Sequence, residues 1–185
     1  MAKLIYSMTV SLDGYVADPG GSFEFSAPDE EVHTFVNDVQ RQIGTYLFGR
    51  HLYDVMRVWE TLPTEDLSPF MADYASIWRS TDKVVFSSTL EAPSTARTRI
   101  ESRFDPGLVR RMKAEAAKDL CIGGPTLAAH AIRAGLVDEC HQYLVPVLVG
   151  GGTPFFSGGV TARLVLLDEH RFHGGTVYLR HRILP

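Results

Sequence analysis

The stretch Asp119-Leu-Cys-Ile-Gly-Gly-Pro-Thr-Leu-Ala-Ala-His-Ala-Ile-Arg-Ala-Gly135 decides how the rest of the chain is read. Leu120, Cys121 and Ile122 form the end of a buried strand. Pro125 suits the first helical position, where its missing N–H would be unpaired anyway. Gly123 and Gly124 permit a sharp turn between the two elements and leave no Cβ in the way of a ligand. The free N–H groups of the helix start, with the positive end of its dipole, make a site for a phosphate. Gly135 then stops the helix. A strand-to-helix turn that binds nothing has the same pattern, so the neighbouring segments must separate the two readings.

Outward from this junction, residues 3–10 alternate as a strand, with Leu4, Tyr6, Met8 and Val10 set against Ile5 and Thr9. Residues 11–28 are a glycine-rich loop. Helical spacing follows over 29–42, with Val32, Phe35, Val36 and Val39 on one face. A short strand over 45–48 leads into a helix over 50–56. An amphipathic helix covers 67–79, strands cover 83–87 and 97–102, and a charged surface helix covers 108–117. Past Gly135, residues 139–149 form a long strand whose Pro146 points to a bulge or a sheet edge. Residues 162–172 and 176–183 pair as a hairpin across Gly174-Gly175. Strands alternating with helices and closed by an antiparallel pair predict an α/β protein. Its expected form is a three-layer α/β/α fold with a mixed, mostly parallel sheet and a C-terminal antiparallel hairpin.

The 185 residues are expected to form one domain, 1–185. A net charge of −4 gives no basic stripe for nucleic acid or an anionic membrane. No apolar run reaches the ~18 residues of a membrane span, and the first residues lack the pattern of a signal peptide. Cys121 and Cys140 are the only cysteines, which suits a reducing compartment, so the expected location is the cytoplasm. The histidines are scattered, and His170-x-x-His173 lacks acidic or thiol partners at ligand spacing, so no metal is expected. Neither a Gly-x-Ser-x-Gly elbow nor a Walker loop is present.

Three strand ends carry the chemistry, because open α/β sheets bind ligands at the carboxyl ends of their strands. In Tyr46-Leu-Phe-Gly-Arg-His-Leu-Tyr53 a strand passes through Gly49 to a cation at a helix start, and Arg50 can donate a fork of hydrogen bonds to a phosphate. In Val84-Val-Phe-Ser-Ser-Thr89 a strand stops in three hydroxyls. Gly123-Gly124 is the third. Taken singly, each is matched by a surface arginine or an ordinary turn.

Together these segments resemble the dihydrofolate reductase superfamily. In that family a Gly-Arg-x-Thr motif follows the second strand, a Ser-Ser or Ser-Arg pair ends a later strand, and an Ile-Gly-Gly turn precedes the last helix. Gly49-Arg50-His51-Leu52, Ser87-Ser88 and Ile122-Gly123-Gly124 fill those places. Ser7-Met-Thr-Val-Ser-Leu-Asp-Gly-Tyr-Val-Ala17, Gly135-Leu-Val-Asp-Glu139 and Leu144-Val-Pro-Val-Leu-Val-Gly-Gly-Gly152 look like the branch formed by the C-terminal reductase domain of the bacterial riboflavin-biosynthesis deaminase/reductase. The resemblance implies an NADPH-dependent reductase. Gly49, Arg50, His51, Leu52, Ser87, Ser88, Ile122, Gly123, Gly124, Pro125, Thr126 and Leu127 would line the cofactor. A cis bond between the two glycines is also implied. Leu52 stands where the family has threonine, which removes one hydroxyl contact to the pyrophosphate.

Folate reductases hold the pterin with a carboxylate near the start of the first helix. Here Ser26-Ala-Pro-Asp-Glu-Glu-Val-His33 offers Asp29, Glu30, Glu31 and His33, in a pattern that an ordinary helix start shares. Asp13, at the end of the first strand, is either an Asp-Gly turn residue or a substrate contact. The catalytic candidates are therefore Asp13, Glu30 and Glu31. Tyr15 and Trp59 could stack on a planar ring or simply pack. The expected activity is hydride transfer from NADPH to a small nitrogen heterocycle, most like 5-amino-6-(5-phosphoribosylamino)uracil reductase. The alternatives are a dihydrofolate or pterin reductase, and a non-catalytic dimeric NADPH-binding module. The resemblance also implies a homodimer, with the strand over 139–149 as its pairing surface.

Overall fold

Short apolar runs with no polar alternation, such as residues 120–122 and 84–86, belong to strands covered on both faces. A computed structural model, which describes residues 1–184, sets them in the middle of an eight-stranded sheet. The strands are β1 (Leu4–Ser11), β2 (Tyr15–Ala17), β3 (Ile43–Gly49), β4 (Asp82–Phe86), β5 (Thr98–Glu101), β6 (Asp119–Gly123), β7 (Glu139–Val145), β8 (Thr153–Pro154), β9 (Arg163–Arg171) and β10 (Val177–Leu184). The helices are α1 (Glu30–Gln40), α2 (Arg50–Met56), α3 (Val58–Thr61), α4 (Pro69–Ser80), α5 (Pro106–Glu115) and α6 (Pro125–Arg133). The sheet order is β5-β4-β3-β6-β1-β7-β10-β9, while β2 and β8 pair separately. The strands from β5 to β7 are mutually parallel, and β10 runs antiparallel to both β7 and β9.

Side chains of alternate strand residues build two cores. Leu4, Tyr6, Leu47, Val84, Leu120 and Ile122 pack under α5 and α6, against Val109, Leu127, Ala128 and Ala131. Ile5, Tyr46, Phe48, Val85 and Cys121 pack on the other face with Tyr53 of α2 and Tyr74 and Trp78 of α4. Each fully buried Leu or Ile contributes about 1.5–3 kcal/mol. Caps fix the helix starts: the Asp29 carboxylate accepts from Val32 N at 2.9 Å, and Asp105 accepts from Gly107 N at 2.8 Å. No helix of the described residues is long and apolar enough to cross a membrane.

The layers and the hairpin match the sequence expectation; the seventh strand does not. It ends at Val145 rather than 149, because Pro146 has no N–H to give a ladder. It is also not an edge, since β1 and β10 flank it, so it cannot be a pairing surface. The open edge on that side is β9. The loop over 11–28 is not featureless either: it holds β2 and a short 3-10 turn, Glu24–Ser26. On β10, Tyr178 lies in the cluster with Val32 of α1, so Leu179 and Ile183 point to the opposite face. Leu164 pairs with Ile183 and Leu166 with His181, and these two leucines are 39% and 50% exposed.

At the lower ends of β1, β7 and β10, Glu139 draws three strands together. Its carboxylate takes Lys3 Nζ at 2.7 Å and Arg180 Nε at 2.8 Å, and lies 3.2 Å from His141 Nε2. Burial alone would raise its pKa, but hydrogen bonds from Arg180, Lys3 and His141 overcome that and lower it to about 2. Arg180 is thus half-buried against this carboxylate. A depressed carboxylate stabilises the fold above its unfolded pKa and loses that contribution as pH falls through the folded value. The stability gap between the wild type and Glu139→Gln should therefore narrow between pH 5 and pH 2, by on the order of 3 kcal/mol. Urea unfolding at several pH values measures it, and a gap independent of pH would contradict the assignment.

Candidate functional site

Parallel register brings three strand ends to one rim. Gly49 of β3 is paired with Phe86 of β4, and Phe48 of β3 with Gly123 of β6. The segments that follow, Arg50 on α2, Ser87 to Thr89 after β4 and Gly124 before α6, are therefore neighbours. Arg50 Nε donates to Asp54 Oδ2 at 2.8 Å and Nη1 to Thr89 Oγ1 at 3.3 Å, which holds the guanidinium beside the end of β4. Ser87 is buried, and its Oγ accepts from the amides of Thr89 and Leu90, so it shapes the turn. Ser88 and His51 are exposed on the rim.

The two glycines have different reasons to be glycine. A Cβ on Gly123 would come within 2.5 Å of Leu52 Cδ2 and 3.2 Å of Phe48 Cε1, so Leu52 lies directly against the bare backbone. Gly124 has φ +87°, in the left-handed region, and donates its N–H to Met8 Sδ at 3.5 Å. The bond between them is trans, like every other described peptide bond, so the implied cis geometry is absent and the positive φ of Gly124 makes the turn. No side chain caps α6, which leaves the amides of Thr126 and Leu127 directed at the rim. Ile122 and Leu127 bury their side chains in the core and can offer a ligand only backbone.

A cleft of about 200 Å³ opens beside this rim, walled by Thr9 of β1, Asp29 and Val32 at the start of α1, Val145 and Pro146 after β7, and Thr176 of the β9–β10 turn. Asp13 is tied to the loop that follows Val147 of the cleft wall, accepting from Gly150 N at 2.7 Å and Val149 N at 3.2 Å. The Ser11 hydroxyl and these amides hold its carboxyl below the usual range. Glu31 accepts from His173 N at 2.9 Å, and its other oxygen is 3.0 Å from His173 Nδ1. The His173 amide and then its ring lower the Glu31 carboxyl, and the pair ties α1 to the β9–β10 turn. Glu30 is exposed on the first turn of α1.

His33, one turn further, is packed among Phe70, Tyr74 and Trp59, and its burial lowers its pKa. Trp59 is engaged there through its packing on Tyr74, while the backbone of Tyr15 pairs with Pro154. The wall residue that the candidate set omitted is Asp29. Its acid-rich context reads as a helix cap, which it also is.

A family model, the RibD C-terminal domain, matches residues 2–178. The chain belongs to the RibD C-terminal domain family. Among relatives of this family, the uncharacterized protein YyaP of Bacillus subtilis (strain 168) is 28% identical over 181 residues, covering 96% of this chain and 93% of that protein. The crystal structure of a putative riboflavin biosynthesis protein from Shewanella sp. PV-4 superposes with a TM-score of 0.78 at 20% identity, covering both chains fully. A Thermotoga maritima diaminohydroxyphosphoribosylaminopyrimidine deaminase/5-amino-6-(5-phosphoribosylamino)uracil reductase gives a TM-score of 0.70 at 12% identity, over 99% of this chain and 57% of that one. These likenesses establish a dihydrofolate reductase-like fold for this RibD C-terminal domain.

Two substitutions test the rim. Gly123→Ala must push Leu52 and Phe48 aside, a crowding that typically costs about 1–3 kcal/mol, and should lower the thermal midpoint by several degrees. An unchanged midpoint would contradict the close approach of Leu52. Asp13→Ala removes the acceptor of two amides, so hydrogen exchange at Val149 and Gly150 should accelerate while exchange in β6 stays as it was. Unaltered exchange at both amides would show that Asp13 does not hold the loop.

Proposed function

We propose that this RibD C-terminal domain protein is an NADPH-dependent reductase of a small nitrogen heterocycle, most like the 5-amino-6-(5-phosphoribosylamino)uracil reductases. The observation that carries the reading is the convergence of Arg50, Ser88 and the Gly123-Gly124 turn on one rim. The donors there suit a dinucleotide. Arg50 offers its remaining N–H groups to a phosphate, Ser88 adds a hydroxyl, and the uncapped amides of Thr126 and Leu127 face the same rim at the positive end of a helix. Glycine at 123 and 124 adds no side chain of its own to the approach, and Leu52 presents apolar surface where a hydroxyl would have bonded. When bound, the cofactor supplies a hydride.

The chain's own contribution is to hold the substrate beside β1 and to supply a proton. Asp13 positions the 149–150 loop at the mouth of the cleft. Glu31 is engaged by His173, which leaves Glu30, on the same exposed turn, to exchange the proton with water.

The reading includes a homodimer, formed over the exposed leucines of β9 in place of β7. A contiguous apolar strip on a sheet edge favours a partner over water. Leu166→Glu should convert a dimer to monomer in analytical ultracentrifugation, and a monomeric wild type would overturn that part. For the cofactor site, Arg50→Ala should weaken NADPH binding by about tenfold or more, as expected for loss of a charge-assisted contact. Calorimetric titration reads it, with the 340 nm absorbance of NADPH following turnover. Equal affinity of variant and wild type would remove Arg50 from the site.

A further inference from the structure

The rim is divided by charge. Its cation, Arg50, stands at the ends of β3 and β4, on the far side of β6. The cleft lies on the other side, at the ends of β1 and β7, and the charged side chain in its lining is a carboxylate. Asp29 is in its wall, Glu30 and Glu31 follow on the same helical turn, and Asp13 is bonded to the loop that borders it. His173 answers only one of them, Glu31. Arg171, the nearest cation on β9, is adjacent in sequence to Phe172, which packs beside α1, so its side chain points to the opposite face of the sheet.

The start of α1 could itself have served as an anion site. It is already occupied by protein: Asp29 Oδ1 accepts from Val32 N at 2.9 Å and the Asp29 carbonyl accepts from His33 N at 2.9 Å. The other carboxylate oxygen of Asp29 lies beside Gly174, where a Cβ would come within 2.5 Å of it. Thr9 and Thr176 add hydroxyls, while Val32, Val145 and Pro146 are apolar. The mouth carries further exposed apolar surface: Leu12 is bonded through its amide to the carbonyl of Val147, and Leu12 and Leu148 are 63% and 72% exposed.

From this geometry we infer that the cleft selects an unphosphorylated heterocycle, one that donates ring N–H or amino hydrogens to Asp29 and lays an apolar face on Val32 and Val145, and that it disfavours the same ring carrying a phosphate. The inference rests on the reductase reading and names its substrate class. The Asp29 carboxylate, in a concave and partly apolar wall whose lining holds no cation, sets a negative field there, which repels a phosphate dianion and attracts a donor. The phosphate-binding groups serve the cofactor half of the rim alone.

The test compares 5-amino-6-ribosylaminouracil with its 5′-phosphate, titrated by calorimetry into the free protein and into the protein saturated with NADPH. The riboside should bind about tenfold more tightly than the phosphate at low salt, with the ratio shrinking as salt screens the field. Asp29→Asn retains a good helix cap, so the fold should survive. It should weaken the riboside and reduce the ratio, while NADPH affinity is unchanged. Equal or tighter binding of the phosphate, no binding of either compound, or a ratio indifferent to Asp29→Asn would each overturn the inference. Failure of NADPH to bind is a separate result, which would sink the reductase reading instead.

Discussion

The pairing of β6 between β1 and β3 is the constraint on which the site depends. Parallel strands rise from one end of the sheet together, so their carboxyl ends form a common rim only while this register holds. Leu120 and Ile122 fill the layer under α5 and α6, and Cys121 fills the layer under α4. A slip of one residue would exchange those faces and bury nothing correctly. The same register places Gly123 opposite Phe48, where Leu52 closes over it. Core packing and the bare backbone at the rim are therefore set by one ladder of hydrogen bonds.

Around that rim, polar groups are spent mostly on holding loops. Arg50 is steadied by Asp54 and Thr89, Ser87 closes the turn after β4, Asp13 secures two amides of a glycine loop, and Glu31 fastens α1 to the hairpin. Gly152 belongs to the same arrangement: at φ +116° it packs so close to the backbone of Ala17 and Asp18 that a Cβ would collide with it. A site assembled from several loops needs such fixings, because each loop alone would move independently of its neighbours. Groups that remain free to meet a ligand are few, and they differ in sign on the two sides of β6.

The layers were legible because period-2 and period-3.6 patterns are local. The helix over 50–56 and the hairpin strands follow from residues that lie next to one another. The cofactor rim was legible for a similar reason, since each of its three segments has its own glycine or hydroxyl signature at a strand end. What escaped depends on contacts distant in sequence. The central place of β7 is decided by β10 returning along it, 33 to 43 residues later, and only Pro146 marks its end. Gly123 reads as an opening for a ligand, whereas the structure shows Leu52 occupying that approach. The approach of Gly174 to Asp29 and the bond of Arg180 to Glu139 likewise join residues far apart in the chain.

The central claim is that the strand ends after β3, β4 and β6 act together as one dinucleotide site. Amide hydrogen exchange with and without NADPH tests it most directly, because protection is read segment by segment. The account predicts simultaneous protection of the amides at Arg50, Ser88, Gly124, Thr126 and Leu127, with the C-terminal hairpin unchanged. Protection confined to any other surface, or of one of these segments without the other two, would contradict it.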